Sequence, residues 1–156
     1  MHTTTFRYRG FTVMNMRNLL RRAVVGTNPY WPFSAINRAP YRIAIATVAR
    51  RMQRFGAVRG LLLHNSLTRG ACEPGLSEIG LTLVVEDIVD ARDEFDVLDA
   101  AQSEYRRAKQ WFPMLGDLEV LSTRTLAATT RFGIIGYDSR YWRPVFGTVP
   151  ATLGFR

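Results

Sequence analysis

Two stretches of this 156-residue chain bring together residue types that can do chemistry. The first, Leu61 to Glu86, is an apolar run ending in His64, a small polar turn at Asn65-Ser66, a loop carrying Gly70 and Gly75, and a second apolar run led by Glu78. The second is Gly116-Asp117-Leu118-Glu119-Val120, with two carboxylates two residues apart. On a strand that spacing puts both side chains on one face, where their oxygens can share a hard divalent cation. The same residues also have ordinary readings. Glu78 and Glu119 suit solvated strand ends, Asp117 after Gly116 suits a turn, and His64 suits a satisfied histidine of the core or of a turn. Cys72, between Ala71 and Glu73, has no neighbour in sequence to activate it and reads as a bystander rather than a nucleophile.

The elements that must position these residues follow from periodicity and from breakers. Val58 to Leu63 reads as a buried strand, and Ile79 to Val85 as its neighbour across the Asn65 to Ser77 loop. Ahead of them, Pro40 suits the first turn of a helix reaching about Phe55, with Tyr41, Ile45, Val48, Met52 and Phe55 on one stripe and Gly56 as its stop. Arg50, Arg51 and Arg54 crowd its last turn, where they complement the helix dipole. Behind them, Asp90 is a good N-cap for a helix to about Gln110 that buries Val97, Leu98, Ala101, Tyr105 and Ala108; Trp111-Phe112-Pro113 ends it. Leu118 to Leu121 is a further strand. Nearer the start, Phe11 to Val25 spaces Val13, Met16, Leu20 and Ala23 as a short amphipathic helix, and Gly26 to Pro40 reads as a loop. The aromatic residues of that loop, Tyr30, Trp31 and Phe33, call for a cover on the core or for stacked bases.

Composition narrows the class. With 47% hydrophobic residues the chain can bury one good core, and its length makes two full domains cramped. A single cysteine excludes an internal disulfide, and with only His2 and His64 beside it no classical zinc site is expected. No apolar run approaches the roughly 18 residues that span a bilayer, and the N-terminus lacks a secretory core, so no membrane span and a cytoplasmic location are expected. The alternative location is mitochondrial, if the acid-free, arginine-bearing N-terminus is a targeting segment. Residues 1–72 hold twelve arginines and no lysine, aspartate or glutamate, a formal +12. Residues 73–156 hold nine basic and thirteen acidic residues, a formal −4. Such a basic half attracts nucleic acid, nucleotides or acidic protein surfaces, or else docks on the acidic half of its own chain.

The Leu61 to Glu86 segment resembles the signature of the nucleotidyltransferase superfamily related to DNA polymerase beta and the aminoglycoside-modifying enzymes. That signature is a hydrophobic strand, Gly-Ser, a loop, and Asp-hydrophobic-Asp opening the next strand. Here the matching residues are Leu61-Leu62-Leu63-His64, Asn65-Ser66, a loop with Arg69-Gly70 and Pro74-Gly75, and Ser77-Glu78-Ile79-Gly80. Gly116 to Val120 resembles the strand bearing the third carboxylate, and Arg131-Phe132-Gly133 and Trp142 to Gly147 resemble a tail segment of bacterial members. The order helix, strand, strand, helix, strand also agrees, over roughly residues 40 to 147.

The resemblance implies an α+β single domain, a mixed sheet flanked by helices. Residues 1–39 then form a basic extension with a short helix and a Pro/aromatic loop, 40–147 the domain, and 148–156 a tail. It also implies a site in which two Mg²⁺ ions, about 4 Å apart, assist transfer of a nucleoside monophosphate from a nucleoside triphosphate to a hydroxyl. Glu78, Glu119 and Asp117 fall at the catalytic carboxylates, Glu78 and Glu119 at the metal positions, and Asn65 and Ser66 at the phosphate-binding turn. Two departures weigh on catalysis: Asn65 replaces a glycine, and Gly80 stands where the second carboxylate belongs. The expected function is therefore a diverged nucleotidyltransferase-like domain with lost or weakened Mg²⁺-dependent transfer, serving as a nucleotide-binding, nucleic-acid-binding or assembly module. The alternative is an active transferase using Glu78, Glu119 and Asp117. The Arg-rich residues 1–72 would meet nucleotide or nucleic acid, with a protein partner as the other option.

Overall fold

The computed structural model describes residues 19–64, 67–88, 90–131 and 141–147. Residues 19–27 are helical (α1). There follow α2 Phe33–Met52, β1 Val58–His64, β2 Ile79–Val85, α3 Ala91–Trp111, β3 Leu115–Ser122, α4 Thr123–Arg131 and β4 Arg143–Gly147. The fold is α+β, a four-stranded mixed sheet with helices packed against it, and the sheet order is β3-β2-β1-β4. β1 runs antiparallel to both β2 and β4, whereas β2 and β3 are parallel and α3 supplies the crossover between them.

The two faces of the sheet are covered differently. Leu61, Ile79, Leu81, Leu83 and Val85 point into the main core, where they meet Tyr41, Ala44, Val48 and Met52 of α2 and Ala101, Tyr105 and Ala108 of α3. Leu62 and Val84 point the other way and form a smaller cluster with Leu126 of α4 and Trp142. β2 is therefore buried along its whole length, which is why its sequence is a continuous apolar run rather than an alternating one. Thr82 is the polar exception in that run.

α3 follows its sequence closely. Asp90 accepts a hydrogen bond from the Arg92 amide at 2.8 Å as the N-cap, an interaction of about 1 kcal/mol, and Asp93 and Glu94 complement the dipole in the first turn. α2 departs from expectation. It starts at Phe33, so Pro40 lies inside the helix rather than in its first turn, and residues 33–40 are not loop. An internal proline removes a backbone bond. The turns ahead of it are held from outside, because the Asn37 side-chain amide donates to the Val24 carbonyl at 3.2 Å and to Thr27 Oγ1 at 3.3 Å. The helix read over Phe11 to Val25 continues to residue 27, and its part before residue 19 lies outside the described residues.

Three further corrections concern the C-terminal half and the aromatics. β3 begins at Leu115, so Asp117 belongs to a strand and not to a turn. α4 and β4 were not foreseen as elements; β4 is short, contains Pro144 and sits at a sheet edge, the place where a strand tolerates proline. Tyr30, Trp31 and Phe33 are not plugged into the core but exposed, Trp31 at 84%. Phe132, Gly133 and the 148–156 tail lie outside the described residues.

The basic half docks on the acidic half only in part. Arg51 Nη1 reaches Glu104 Oε2 at 2.9 Å, tying α2 to α3, and Arg59 pairs with Glu86. Arg21, Arg22, Arg38, Arg42, Arg50 and Arg54 form no ion pair among the described residues. Among those residues, no helix is long and apolar enough to cross a membrane.

Candidate carboxylate cleft

The site is built where β1, β2 and β3 end together. In the β2–β3 pairing, Ile79 faces Leu115 but Leu81 faces Leu118, so Gly116 and Asp117 together oppose the single residue Gly80. This is a β-bulge, a device that re-aims side chains. On its other side Gly80 is paired with His64 of β1. The corner encloses a cleft of about 320 Å³ lined by His64, Glu78, Gly80, Gly116, Asp117, Leu118 and Glu119. Glu78, Asp117 and Glu119, nominated from sequence, are thus brought together. Asn65 and Ser66 lie outside the described residues, directly after His64.

Two of the three carboxylates are held by a specific partner. Thr82 pairs with Glu119 across β2 and β3, and its fully buried hydroxyl donates to Glu119 Oε2 at 2.9 Å. That bond satisfies the one polar side chain in β2 and points Glu119 along the cleft. Lys109 Nζ, from the last turns of α3, donates to the Gly116 carbonyl at 2.9 Å and to Asp117 Oδ1 at 3.2 Å. The Asp117 side chain is otherwise fully exposed, so this ion pair contributes little stability and serves mainly to orient. A Cβ at Gly116 would stand 3.2 Å from the Ile79 carbonyl oxygen, a tight approach, and 3.5 Å from Glu78 Oε2, an ordinary contact.

The loop that delivers Glu78 is fastened to α2. Tyr41 Oη donates to the Ser77 carbonyl at 2.9 Å and accepts from the Gly75 amide at 3.0 Å. Gly75 has φ +87°, and a Cβ at this position would press on Val24 and Val25 of α1 at 3.3 and 3.2 Å. Glycine is required there by both conformation and space. Burial raises the Tyr41 hydroxyl pKa, against the opposing hydrogen bond from Gly75.

Beneath the cleft, Tyr105 Oη donates to the Gly116 carbonyl at 3.2 Å. Its pKa is pushed strongly upward, first by burial and then by the negative charges of Asp117 and Glu78. At the other wall, the His64 ring leans on Trp142, with centroids 5.6 Å apart and planes at 33°. His64 Nε2 is buried without a hydrogen-bond partner among the described residues.

Gly80 leaves a gap in the donor set beside Glu78. Gly80 and Thr82 share one face of β2, Glu78 stands just before the strand, and Gly80 brings no ligand between the other two. Among the described residues no three His, Cys, Asp or Glu side chains cluster tightly enough to hold a metal ion. Glu78, Asp117 and Glu119 are the carboxylates that line the cleft. Sequence reasoning gave Thr82, Lys109, Tyr105 and Trp142 no part in the site, although Tyr105 was read as buried and Trp142 as part of the tail segment. Thr82 was detectable as the lone hydroxyl in an apolar run; the others needed the register and the crossover.

No protein-family model matches the chain, and comparison with curated proteins gives no match either.

Proposed function

We propose that this chain is a diverged nucleotidyltransferase-like domain that binds a nucleotide or the end of a nucleic acid at the Glu78, Asp117 and Glu119 cleft, with Mg²⁺-dependent transfer of a nucleoside monophosphate lost or weakened. The observation that supports it is convergence: three carboxylates from two distant segments meet at one cleft, beside the strand end that leads into Asn65-Ser66. A triphosphate brings its own divalent cation, so one or two carboxylates can still recognise the complex where a two-ion centre is incomplete. Glu119, held by Thr82, is the best-oriented ligand for such a cation. Gly80 is the reason to expect weak chemistry, since loss of the middle carboxylate leaves the second ion unsupported.

The test is calorimetric titration of ATP, CTP, GTP and UTP with Mg²⁺ or Mn²⁺, paired with a pyrophosphate-release assay. Weak metal-dependent binding is expected, lost in Glu78→Ala and in Glu119→Ala, with no pyrophosphate released by the wild type. Metal-dependent release would establish the active alternative. Binding that ignores both the metal and the two substitutions would sink the cleft as a nucleotide site.

A further inference from the structure

The sheet ends at β3 with an open edge that a helix overhangs. Among the described residues β3 pairs with β2 alone, so alternate residues of Leu115–Ser122 turn their backbone amides and carbonyls away from the sheet. Phe95, Leu98, Asp99 and Gln102 of α3 and Val120 of β3 line a groove of about 230 Å³ along that edge. The four α3 positions fall within one sector of about 100° on the helix, on the side opposite Glu104, which pairs with Arg51 of α2. Two contacts in the groove are unfinished. Phe95 is 73% exposed, and Gln102 Oε1 is buried without a hydrogen-bond partner among the described residues.

We infer that this edge accepts an extended basic peptide of a partner protein, laid along β3 as a further strand. Strand addition satisfies the outward backbone groups, and alternate side chains of the peptide go to opposite faces. One set enters the groove against Phe95, Leu98 and Val120 and is therefore apolar. The other set lies beside Glu119, on the opposite face of β3 from Val120, and beside Asp117 near the start of the strand. Both carboxylates are exposed, and Lys109 reaches only Asp117, so negative charge is left over and this set is basic. On the groove side of α3 the exposed Asp99 and Arg106 offset one another, so the charge preference comes from the carboxylate face. Other occupants match less. Two copies joined through β3 would bring Asp117 and Glu119 of both together, where like charges repel. Nucleic acid would set phosphates against the same carboxylates and leave the edge backbone unpaired. Peptide docking needs neither nucleotide nor metal, and the inference stands or falls independently of the nucleotide reading.

The test is fluorescence anisotropy of a labelled peptide of alternating lysine and valine with the full chain, without nucleotide or divalent metal. The formal net charge of +8 disfavours non-specific capture of a basic peptide, so binding would be local. Saturable binding is expected, with slowed amide exchange across residues 115–122. A glutamate–valine peptide should not bind, nor should a lysine–proline peptide, which cannot donate to the edge. Phe95→Ser should weaken binding roughly tenfold. Its thermal melt should match the wild type, since Phe95 is mostly exposed. Asp117→Asn/Glu119→Gln should erase the preference for lysine over glutamate. No binding of the lysine–valine peptide, binding that leaves residues 115–122 unprotected, binding unchanged in Phe95→Ser, or a lysine preference that survives the carboxylate pair would overturn the inference. Dimerisation that protects the same residues and excludes the peptide would overturn it in favour of a second copy, and displacement of the peptide by single-stranded RNA in favour of nucleic acid.

Discussion

The cleft at the end of β2 and the outer face of α2 are opposites in charge and in construction. In the cleft, most polar groups are held: Glu119 by Thr82, Asp117 by Lys109, and Gly116 by Tyr105 and Lys109. On the exposed side of α2, Arg38, Arg42 and Arg50 form no ion pair among the described residues, and Ile36 and Ile43 are exposed. The difference separates two ways of meeting a partner. Fixed hydrogen bonds suit a small ligand whose atoms must be placed, whereas long unpaired side chains suit a broad surface that needs area and charge.

The sharpest way to break this comparison lies within α2 itself. Met52→Ala should cost about 2–5 kcal/mol, because the side chain is fully buried between helix and sheet. Ile43→Ala, on the outer face of the same helix, should stay within about 0.5 kcal/mol. Urea unfolding of the two variants checks both; equal losses would mean that the outer face is not free.

A smaller effect tests how the cleft is held. Thr82→Val keeps the shape in β2 and removes the donor to Glu119, so about 1 kcal/mol of stability should go. Triphosphate binding should weaken along with it, which calorimetry can follow on the same preparation.

Two pH effects come next. The Tyr105 hydroxyl is held above its ordinary value of 10.0, by burial first and then by Asp117 and Glu78. The folded state therefore keeps that proton more tightly than the unfolded chain does, and the associated stability is full below pH 10 and falls as pH rises beyond it. Tyr105→Phe should flatten that alkaline decline in denaturation curves. Asp87 behaves oppositely. Hydrogen bonds from Ser122 and Thr123 hold its carboxyl below the ordinary 3.8, with a further bond from the Arg124 amide at the start of α4. Its contribution is present above pH 3.8 and is lost as pH falls below that value. Asp87→Asn should reduce the acid sensitivity of stability by the smallest amount of this set, because the group is exposed.

Much of the frame was legible because local and tertiary forces agree there. Ile79 to Val85 is continuously apolar and becomes the strand buried on both faces, and Asp90 caps α3 where its sequence says it should. The start of α2 was illegible because Asn37 holds it from α1, a contact that the density of prolines around it conceals. The start of β3 was hidden for a related reason. Gly116-Asp117 reads as a turn in isolation, and only parallel pairing with β2 makes it a bulge. The three carboxylates could be nominated from residue type and spacing. Their partners could not, since Thr82 and Glu119 meet only through register, and His64 meets Gly80 only across the β1–β2 pair.

The most direct measurement is calorimetry of Mn²⁺ and nucleoside triphosphate binding to Gly80→Asp beside the wild type. Restoring a carboxylate between Glu78 and Thr82 should complete the two-ion grip and strengthen metal-dependent binding by at least tenfold, with the gain lost again in Glu119→Ala. Equal, metal-independent or absent binding in both proteins would contradict the reading of this cleft as a weakened nucleotidyltransferase site.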